Sequence, residues 1–201
     1  MCRESLPVWQ QFFDRHRASG IAVVGVSVGV EGATRAAPFV EDAGAKFDVL
    51  LDETFLLGDV FGFATLRNVA LVDERGVVQW LQAGGFDLRD TEAQELIEAW
   101  AGDPSSLPSS STPIESGATV VRALREGSAA WHAGDRDGAR AAWRAALQAD
   151  PDNPLLRDQV WSVEHPDRYF SGPVDKEWQS DRTGSQEGEG GVIPPAPSPR
   201  G

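Results

Sequence analysis

The chain contains a single residue suited to covalent redox chemistry, Cys2. Apolar, aromatic and histidine residues then recur at helical spacing, at Leu6, Trp9, Phe12, Phe13 and His16. This pattern predicts a helix over residues 4–19, ended by Gly20. The thiol would lie at the amino end of that helix, where the helix dipole stabilises a thiolate. One cysteine excludes an internal disulfide and a cysteine-rich zinc site, so thiol chemistry uses one sulfur or the thiol of a partner.

The three histidines are weaker candidates for chemistry. His16 shares the first predicted helix with Phe12 and Phe13, which favours a partly buried surface histidine over a general base. His132 and His165 lie far apart in the sequence, and neither has a cysteine or a Glu-x-x-His pattern nearby. We therefore expect no metal site.

Three aspartates, Asp52, Asp73 and Asp87, lie at predicted strand ends or turns. Carboxylates in such places commonly accept hydrogen bonds from backbone N–H groups, so a structural role is predicted for all three. The sequence has no Gly-x-Gly-x-x-Gly pattern between a strand and a helix, which is the arrangement that binds a dinucleotide. We expect no cofactor.

Composition limits the class of protein. The 201 residues carry a formal net charge of -13, which disfavours a nucleic-acid partner. Hydrophobic residues make up 41% of the chain, with seven Trp and nine Phe, which is enough to build a core. The longest apolar run, residues 21–30, is well short of the roughly 20 residues that a membrane span needs. We expect no membrane segment in this chain.

The elements that must position Cys2 alternate between helices and strands. After the first helix, the pattern predicts a strand at residues 21–28, a helix at 33–43, a strand at 48–51, a helical turn at 54–61, strands at 68–73 and 77–82, and a helix at 91–100. The short turn between the last two strands predicts an antiparallel hairpin. Thr91 is predicted to cap the closing helix. The fold class is therefore α/β.

Composition also divides the chain into parts. Residues 103–117 are rich in Ser and Pro, which predicts a flexible linker between a domain at 1–102 and a helical region at 118–165. Residues 166–201 are predicted to form an aromatic strap and a disordered tail, the tail starting at Thr183. Trp161 is counted with the aromatic residues that follow the apolar stripe of the third helix without periodicity.

The helical region has the pattern of two antiparallel helices followed by a third. Its small and aromatic residues at the predicted crossing resemble those of a tetratricopeptide repeat, at positions Gly127, Gly134, Ala139, Trp143, Ala146 and Pro151. One such repeat cannot bury its own apolar face, so it must pack on something else. Asn153 is predicted to cap the third helix, with Pro154 at its first position. The resemblance implies that this region docks on the first domain or recruits a protein partner.

Six short segments of the first hundred residues carry a resemblance to a known family through their residues, order and spacing. They lie at residues 2–7, 23–28, 47–52, 61–63, 69–76 and 84–87. Together they resemble the TlpA/ResA-like branch of the thioredoxin superfamily, whose layout is shared by the alkyl hydroperoxide reductase and thiol-specific antioxidant proteins, the redoxins. The resemblance implies a thioredoxin-like sheet flanked by helices and lacking its first strand. A small all-α helical-repeat region would follow it.

In that family the first helix starts inside a Cys-x-x-Cys motif. Cys2 matches the second cysteine, and the sequence contains neither the first cysteine nor the strand that delivers it. We expect the sequence to begin at an internal Met of a longer parent protein. The missing strand is central in such a sheet, so the resemblance places it between the strands at 21–28 and 68–73, each of which would lack a neighbour.

The resemblance also singles out Arg67, which stands where these oxidoreductases usually carry a cis-proline. The arginine departs from the family pattern and brings the backbone geometry of substrate binding into question. Arg67 also precedes Asp73 by six residues, as the active-site arginine of peroxiredoxins precedes its strand-end aspartate. A guanidinium there can stabilise a thiolate or a peroxide oxygen.

The leading hypothesis is a thiol–disulfide oxidoreductase with Cys2 and Arg67 as site residues. Its partner would be a protein thiol or disulfide, as substrate or reductant. Exchange normally needs a second thiol to resolve the mixed disulfide, so this chain alone is expected to be incomplete as a catalyst. Two alternatives stay open: a peroxiredoxin-like peroxidase in which Cys2 attacks and Arg67 assists, and a non-catalytic interaction module on a degenerate redoxin scaffold.

Overall fold

The computed structural model describes residues 3–108, 117–170 and 175–184. Within them the helices are α1 (Leu6–His16), α2 (Ala33–Asp42), α3 (Leu56–Phe61), α4 (Thr91–Gly102), α5 (Ala118–His132), α6 (Arg136–Ala149), α7 (Pro154–Glu164), α8 (Pro166–Phe170) and α9 (Lys176–Gly184). The strands are β1 (Val24–Val28), β2 (Asp48–Asp52), β3 (Val69–Val72) and β4 (Val78–Gln82). The order of elements as far as α4 is the predicted one. None of the described helices is both long and apolar enough to cross a membrane.

The ends of some elements differ from the predicted ones. The first predicted helix is α1 with a short 3₁₀ turn on each side, at Arg3–Ser5 and Arg17–Ser19. Gly20 ends it in a left-handed conformation with φ of 83°, as predicted for a glycine stop. The prediction that Thr91 caps α4 is wrong, because Asp90 precedes the helix and Thr91 is its first residue.

The described strands form two separate two-stranded sheets. β1 pairs in parallel with β2, so that Val24 lies opposite Asp48 and Val28 lies opposite Asp52. β3 and β4 form the predicted antiparallel hairpin. A single thioredoxin-like sheet is not formed by the described residues, since β1 and β3 share no ladder. The break falls between the two strands that were expected to flank the missing one.

One hydrophobic core joins the two sheets. Leu71 of β3 and Trp80 of β4 lie opposite each other in the hairpin, and both are buried. They share the core with buried residues of α1, of α4 and of the loops, namely Leu6, Phe12, Val23, Phe47, Phe86, Leu88 and Ile97. The sheets are therefore connected through packed side chains rather than through a backbone ladder.

Helices α5 and α6 pack closely against each other, as the sequence predicts. A Cβ atom added at Gly127 would lie 2.2 Å from Nε1 of Trp143, so only glycine fits at this crossing. Trp143 is fully buried and donates its Nε1–H to the carbonyl oxygen of Leu124 at 3.3 Å. The small residue in one helix and the large aromatic in the other therefore fix the helical hairpin.

The third helix of this region starts as predicted. The Oδ1 atom of Asn153 accepts hydrogen bonds from the backbone N–H groups of Leu155 and Leu156, each at 3.1 Å, so Asn153 caps α7. Trp161 lies inside α7 and is buried. The sequence groups Trp161 with the aromatic residues that lack periodicity, whereas the structure shows that it continues the buried face of the helix.

The described residues divide into two compact units, the first ending at Glu164 and the second beginning at His165. The second unit contains two short helices, α8 and α9, where an irregular strap was expected. Trp178 holds them together, with the rings of His165 and Tyr169 edge-on at centroid distances of 5.0 and 6.5 Å. The stretch 109–116 of the predicted linker and residues 185–201 of the predicted tail lie outside the described residues.

Candidate functional site at the start of α1

The predicted thiol, Cys2, lies outside the described residues. Glu4 follows two positions later in the sequence and is described. The candidate site is therefore described from Glu4, the charged residue nearest to Cys2 in the sequence whose side chain the structure describes.

Four charged side chains meet at this point, and we call them the α1 charge cluster: Glu4, Arg67, Asp87 and Arg89. Arg89 donates from Nη1 to Oε2 of Glu4 at 3.0 Å. The same guanidinium donates to the carboxylate of Asp87, from Nε at 2.9 Å and from Nη2 at 2.5 Å. Nη1 of Arg67 lies 3.6 Å from Oδ2 of Asp87. Two carboxylates and two guanidiniums thus form one charge-balanced network.

Asp87 is the buried centre of the cluster, with a side chain only 5% exposed. The side-chain hydrogen bonds from Arg89 lower the pKa of Asp87 to about 2, against the effect of burial, which raises it. The charge of Arg67 makes a smaller contribution in the lowering direction. The same contacts raise the pKa of Arg89. Both members of this pair therefore stay charged across the physiological range.

Arg67 is positioned by an unusual backbone conformation. Its φ of 61° is left-handed, which among the described non-glycine residues is shared only with Phe55, and no peptide bond in the described part is cis. A non-glycine residue in this region costs about 1 kcal/mol. The backbone N–H of Phe86 donates to the carbonyl oxygen of Arg67 at 3.0 Å, which helps to hold that conformation. The Arg67 side chain is 47% exposed, so its guanidinium is open to solvent.

The loop that carries Asp87 and Arg89 is tied to its surroundings at two further points. Its Gly84 N–H donates to Oδ1 of Asn68, next to Arg67, at 2.8 Å. The ring of Phe86 packs against Trp9 of α1 with a centroid distance of 6.2 Å. Hydrogen bonds and aromatic packing therefore fix the loop both to the segment before β3 and to the first helix.

The structural roles predicted for the three aspartates are confirmed. Asp52 accepts from the backbone N–H groups of Leu56 and Leu57 at 2.8 and 2.9 Å and so caps α3. Asp73 and Asp87 each accept from the N–H two residues later, at 2.9 and 3.0 Å. Asp87 alone also lies in the α1 charge cluster, a role that the turn pattern does not indicate.

His16 is a partly buried surface histidine, as predicted. Its side chain is 19% exposed, and Nε2 lies 2.7 Å from Oε2 of Glu98 in α4. The ring packs on Phe12 at a centroid distance of 4.5 Å. These contacts link α1 to α4, which is a structural role.

The site residues missed by the sequence are Glu4 and Arg89. Their hydrogen bond joins positions 85 residues apart, and neither residue belongs to a motif that would signal the contact. The one local signal is the Asp-x-Arg spacing of Asp87 and Arg89, which also occurs at Asp73 and Arg75. That repetition shows that the spacing alone does not single out a functional arginine.

One part of the chain is similar to a known protein family. Residues 1–81 match the model of the AhpC/TSA family. No match was found among the curated proteins or among the solved structures. The matched stretch includes Cys2, Glu4 and Arg67 and ends within β4, before Asp87. Residues 1–81 are thus similar to a thioredoxin-related redoxin family whose function depends on a thiol.

Proposed function

We propose that this chain carries out thiol–disulfide exchange on a protein substrate, with Cys2 as the reacting thiol and Arg67 stabilising its thiolate. One observation carries the proposal: the α1 charge cluster links the exposed guanidinium of Arg67, through Asp87 and Arg89, to Glu4. Glu4 is two residues from Cys2, in a stretch similar to a thiol-dependent family. A guanidinium near a thiol favours the charged form and so the reactive one.

The exchange follows ordinary disulfide chemistry. The Cys2 thiolate attacks one sulfur of the substrate disulfide, a new S–S bond forms, the old S–S bond breaks, and the leaving thiolate takes a proton from water. The sequence has one cysteine, so a second thiol from a protein or small-molecule reductant must attack the mixed disulfide. That attack releases the product and regenerates Cys2.

A second candidate function is reduction of a hydroperoxide. The exposure of Arg67 favours it, because a guanidinium open to solvent can donate to a peroxide oxygen. In this reaction the thiolate attacks one oxygen, the O–O bond breaks, Cys2 becomes a sulfenic acid, and the leaving oxygen takes a proton. Partner thiols would then reduce the sulfenic acid to the thiol with release of water.

The experiment compares the rates at which the thiol reacts with 5,5′-dithiobis(2-nitrobenzoate) and with hydrogen peroxide at pH 6. Arg67→Gln is expected to slow the reaction about tenfold, the effect of raising a thiol pKa by one unit. Arg75→Gln is the control, because Arg75 forms a similar pair with Asp73 in a turn. Cys2→Ser should abolish both reactions, and a larger acceleration over free cysteine with the disulfide than with the peroxide supports exchange.

A thiol that reacts no faster than free cysteine with either reagent, and does not respond to Arg67→Gln, would refute both chemical functions and leave the interaction module. Catalytic reduction of insulin by dithiothreitol is a separate measurement. There the chain is expected to match its Cys2→Ser variant, since no second thiol is present to resolve the intermediate.

For the helical region we infer that α5 and α6 form a tetratricopeptide-like repeat that docks on the α/β part of its own chain. Three hydrogen bonds support this and define what we call the helical seam. Ser128 Oγ donates to the carbonyl oxygen of Glu53 at 2.5 Å, Asn153 Nδ2 donates to that of Ala64 at 3.1 Å, and Ser162 Oγ donates to Oε1 of Glu31 at 2.6 Å. A protein partner would have to use the face of the repeat turned away from this seam.

Brief proteolysis tests the docking. The first cut is expected between about Gly102 and Gly117, where there are few apolar side chains to bury. The two fragments should then elute together in size-exclusion chromatography, because the helical seam holds them. Separation of the fragments would refute the docking, and a first cut within residues 119–163 would refute the predicted linker.

A further inference from the structure

We propose that the outer edge of β2 is a docking site for an extended segment of a protein partner, which joins the sheet as a third strand. The segment carries apolar residues at alternate positions and a basic residue at each end. Such docking involves neither Cys2 nor the α1 charge cluster, so it is independent of the proposed thiol chemistry.

The open edge follows from the direction of the backbone groups in β2. The backbone N–H of Gly29 donates to the carbonyl oxygen of Asp52 at 3.3 Å, so Asp52 points its backbone groups towards β1. Successive residues of a strand point their N–H and C=O groups to opposite sides. Val49 and Leu51 therefore point theirs away from β1. Among the described strands only β1 pairs with β2, so none of them satisfies these groups.

The side chains along this edge are apolar and open to solvent. Leu50 is 56% exposed and Leu51 is 41% exposed, and as neighbours in a strand they face opposite sides of the sheet. Val24 of β1 lies on the same face as Leu50 and is 53% exposed. In strand addition, backbone hydrogen bonds supply the affinity and side-chain contacts supply the selectivity. The outer edge of β2 offers both.

β2 also lacks the features that protect an edge strand from pairing. It contains no Lys or Pro, and its register with β1 is regular over all five residues. In contrast, a bulge between Leu71 and Val72 interrupts the pairing of β3 with β4, and a bulge discourages the addition of a strand. Val26, whose backbone points to the outer edge of β1, already has an interaction. The edge of β2 is therefore the better candidate.

Charge decides between a second copy of this chain and a different partner. A fully overlapped antiparallel pair of two β2 strands would place Asp48 of each copy opposite Asp52 of the other, and like charges at opposed positions destabilise a sheet. Each copy also carries a net charge of -13. The charged residues next to the exposed part of the edge are Asp48, Glu53 and one cation, Lys46, so the edge is acidic. A basic segment complements it.

The experiment uses the full chain and a synthetic peptide with blocked ends, Lys-Thr-Val-Thr-Val-Thr-Val-Thr-Lys. Its valines and lysines share one face of a strand, as Leu50 and Asp48 do in β2. Fluorescence anisotropy of the labelled peptide measures binding, and hydrogen exchange locates it. The amides of Val49 and Leu51 should become protected when the peptide binds. The amide of Leu50 points to β1 and should exchange at an unchanged rate.

Substitutions in β2 test the backbone and the side chains separately. Leu51→Pro removes an outward N–H, which an edge strand tolerates, and should weaken binding about tenfold. Leu50→Thr should weaken it about threefold, because apolar contact is lost. Val60→Thr is the matched control, since Val60 is 63% exposed but belongs to α3. Its variant should bind the peptide as the original chain does.

Charge reversal tests the predicted chemistry of the partner. Asp48→Lys should weaken binding of the lysine peptide about fivefold at low salt, and the loss should shrink at about 1 M salt. A peptide with Glu in place of both Lys residues should bind more weakly to the original chain and more tightly to Asp48→Lys. Equal binding of the two peptides by the original chain would contradict a basic partner.

The folding of Leu51→Pro is checked by circular dichroism. If that variant unfolds, a peptide N-methylated at its seven central residues decides, because it lacks the donors for a ladder while the chain stays unchanged. Undiminished binding of the methylated peptide, or no protection of Val49 and Leu51, overturns the proposal. A chain that sediments as a dimer and becomes a monomer in Leu51→Pro would assign the edge to a second copy and also overturn it.

Discussion

Asp87 and Glu31 are two carboxyl groups withdrawn from solvent, and their pKa values are displaced in opposite directions. Arg89 hydrogen-bonds Asp87 and lowers its pKa to about 2. Burial raises the pKa of Glu31, and the hydrogen bond from Ser162 and the charge of Arg35 only partly oppose that effect. The difference lies in the partner, because Asp87 has a guanidinium in direct contact whereas Glu31 has a hydroxyl group.

The comparison shows that the chain joins distant segments by two different means. The α1 charge cluster uses opposite charges, so it requires its carboxylates to be ionised. In the helical seam, the donors and acceptors are all neutral when Glu31 is protonated. Ionisation of Glu31, which is partly buried, therefore destabilises the seam. Each of the following substitutions changes one of these regions and leaves the other as a reference.

The largest effect is expected at Gly127, next to Ser128 of the helical seam. A new Cβ atom would lie 2.2 Å from Nε1 of Trp143, so Gly127→Ala should cost about 3 kcal/mol of unfolding free energy by forcing α5 and α6 apart. Urea unfolding measures the loss. Gly102→Ala is the control, since nothing lies within 4 Å of its added Cβ atom. A Gly127→Ala variant as stable as the control would contradict the close crossing.

The next effect is expected at Asp87. Asp87→Asn should lose about 2 kcal/mol of stability at pH 7, because it removes charge-assisted hydrogen bonds from a buried site. A carboxyl group with a depressed pKa stabilises the fold above its unfolded pKa of about 3.9, and loses that effect as the pH falls towards about 2. The difference in unfolding free energy between the original chain and Asp87→Asn should therefore become smaller over that pH range.

Unfolding measured from pH 7 down to pH 2 would reveal this closing gap. Asp73→Asn is the control, since Asp73 forms a similar pair in a turn, and its loss should be smaller. If the difference in unfolding free energy between the original chain and Asp87→Asn is the same at every pH, the charge of Asp87 does not stabilise the fold.

The smallest effect is expected at Glu31, and it has the opposite dependence on pH. Because its pKa is raised in the fold, the stability that Glu31 contributes is present below its unfolded pKa, about 4.3, and is lost as the pH rises through the folded value. Glu31→Gln cannot ionise and keeps a hydrogen-bond acceptor for Ser162. It should be more stable than the original at pH 7, by on the order of 1 kcal/mol.

Thermal unfolding between pH 4 and pH 8 provides the measurement for Glu31. The advantage of Glu31→Gln should grow with pH over this range. Ser162→Ala removes the hydrogen-bond donor and should make the loss of stability with rising pH steeper. Parallel profiles for the original chain and Glu31→Gln would show that burial does not affect this group.

Local sequence patterns were sufficient to predict the helices and strands but not the contacts between them. Helical spacing and a glycine stop predicted α1. A run of apolar residues predicted β1, and the short turn between β3 and β4 predicted their hairpin. Asn153 could be assigned as a cap because a cap is decided within four residues. Trp161 was misassigned, because a helix buried on a broad face shows little periodicity near its end.

The candidate site and the helical seam both depend on contacts between residues far apart in the sequence, and these contacts carry no local signal. Glu4 and Arg89 are 85 residues apart, and Glu31 and Ser162 are 131 residues apart. Arg67 could be named only through a family resemblance, since its left-handed backbone is stabilised by the N–H of Phe86 from a distant loop. Single charged residues on a surface are too common for their type alone to indicate a partner.

The connection between the two sheets through side chains alone has a consequence for motion. A backbone ladder fixes the register of neighbouring strands, whereas packed side chains allow small sliding displacements of one layer over another. Arg67 precedes β3 and Asp87 follows β4, so the hairpin carries both residues as one body. A shear of this hairpin beneath α1 would change the distance from Arg89 to Glu4 while preserving the pair with Asp87. Relaxation dispersion of backbone amides would detect it as a common exchange rate shared by β3, β4 and Arg89.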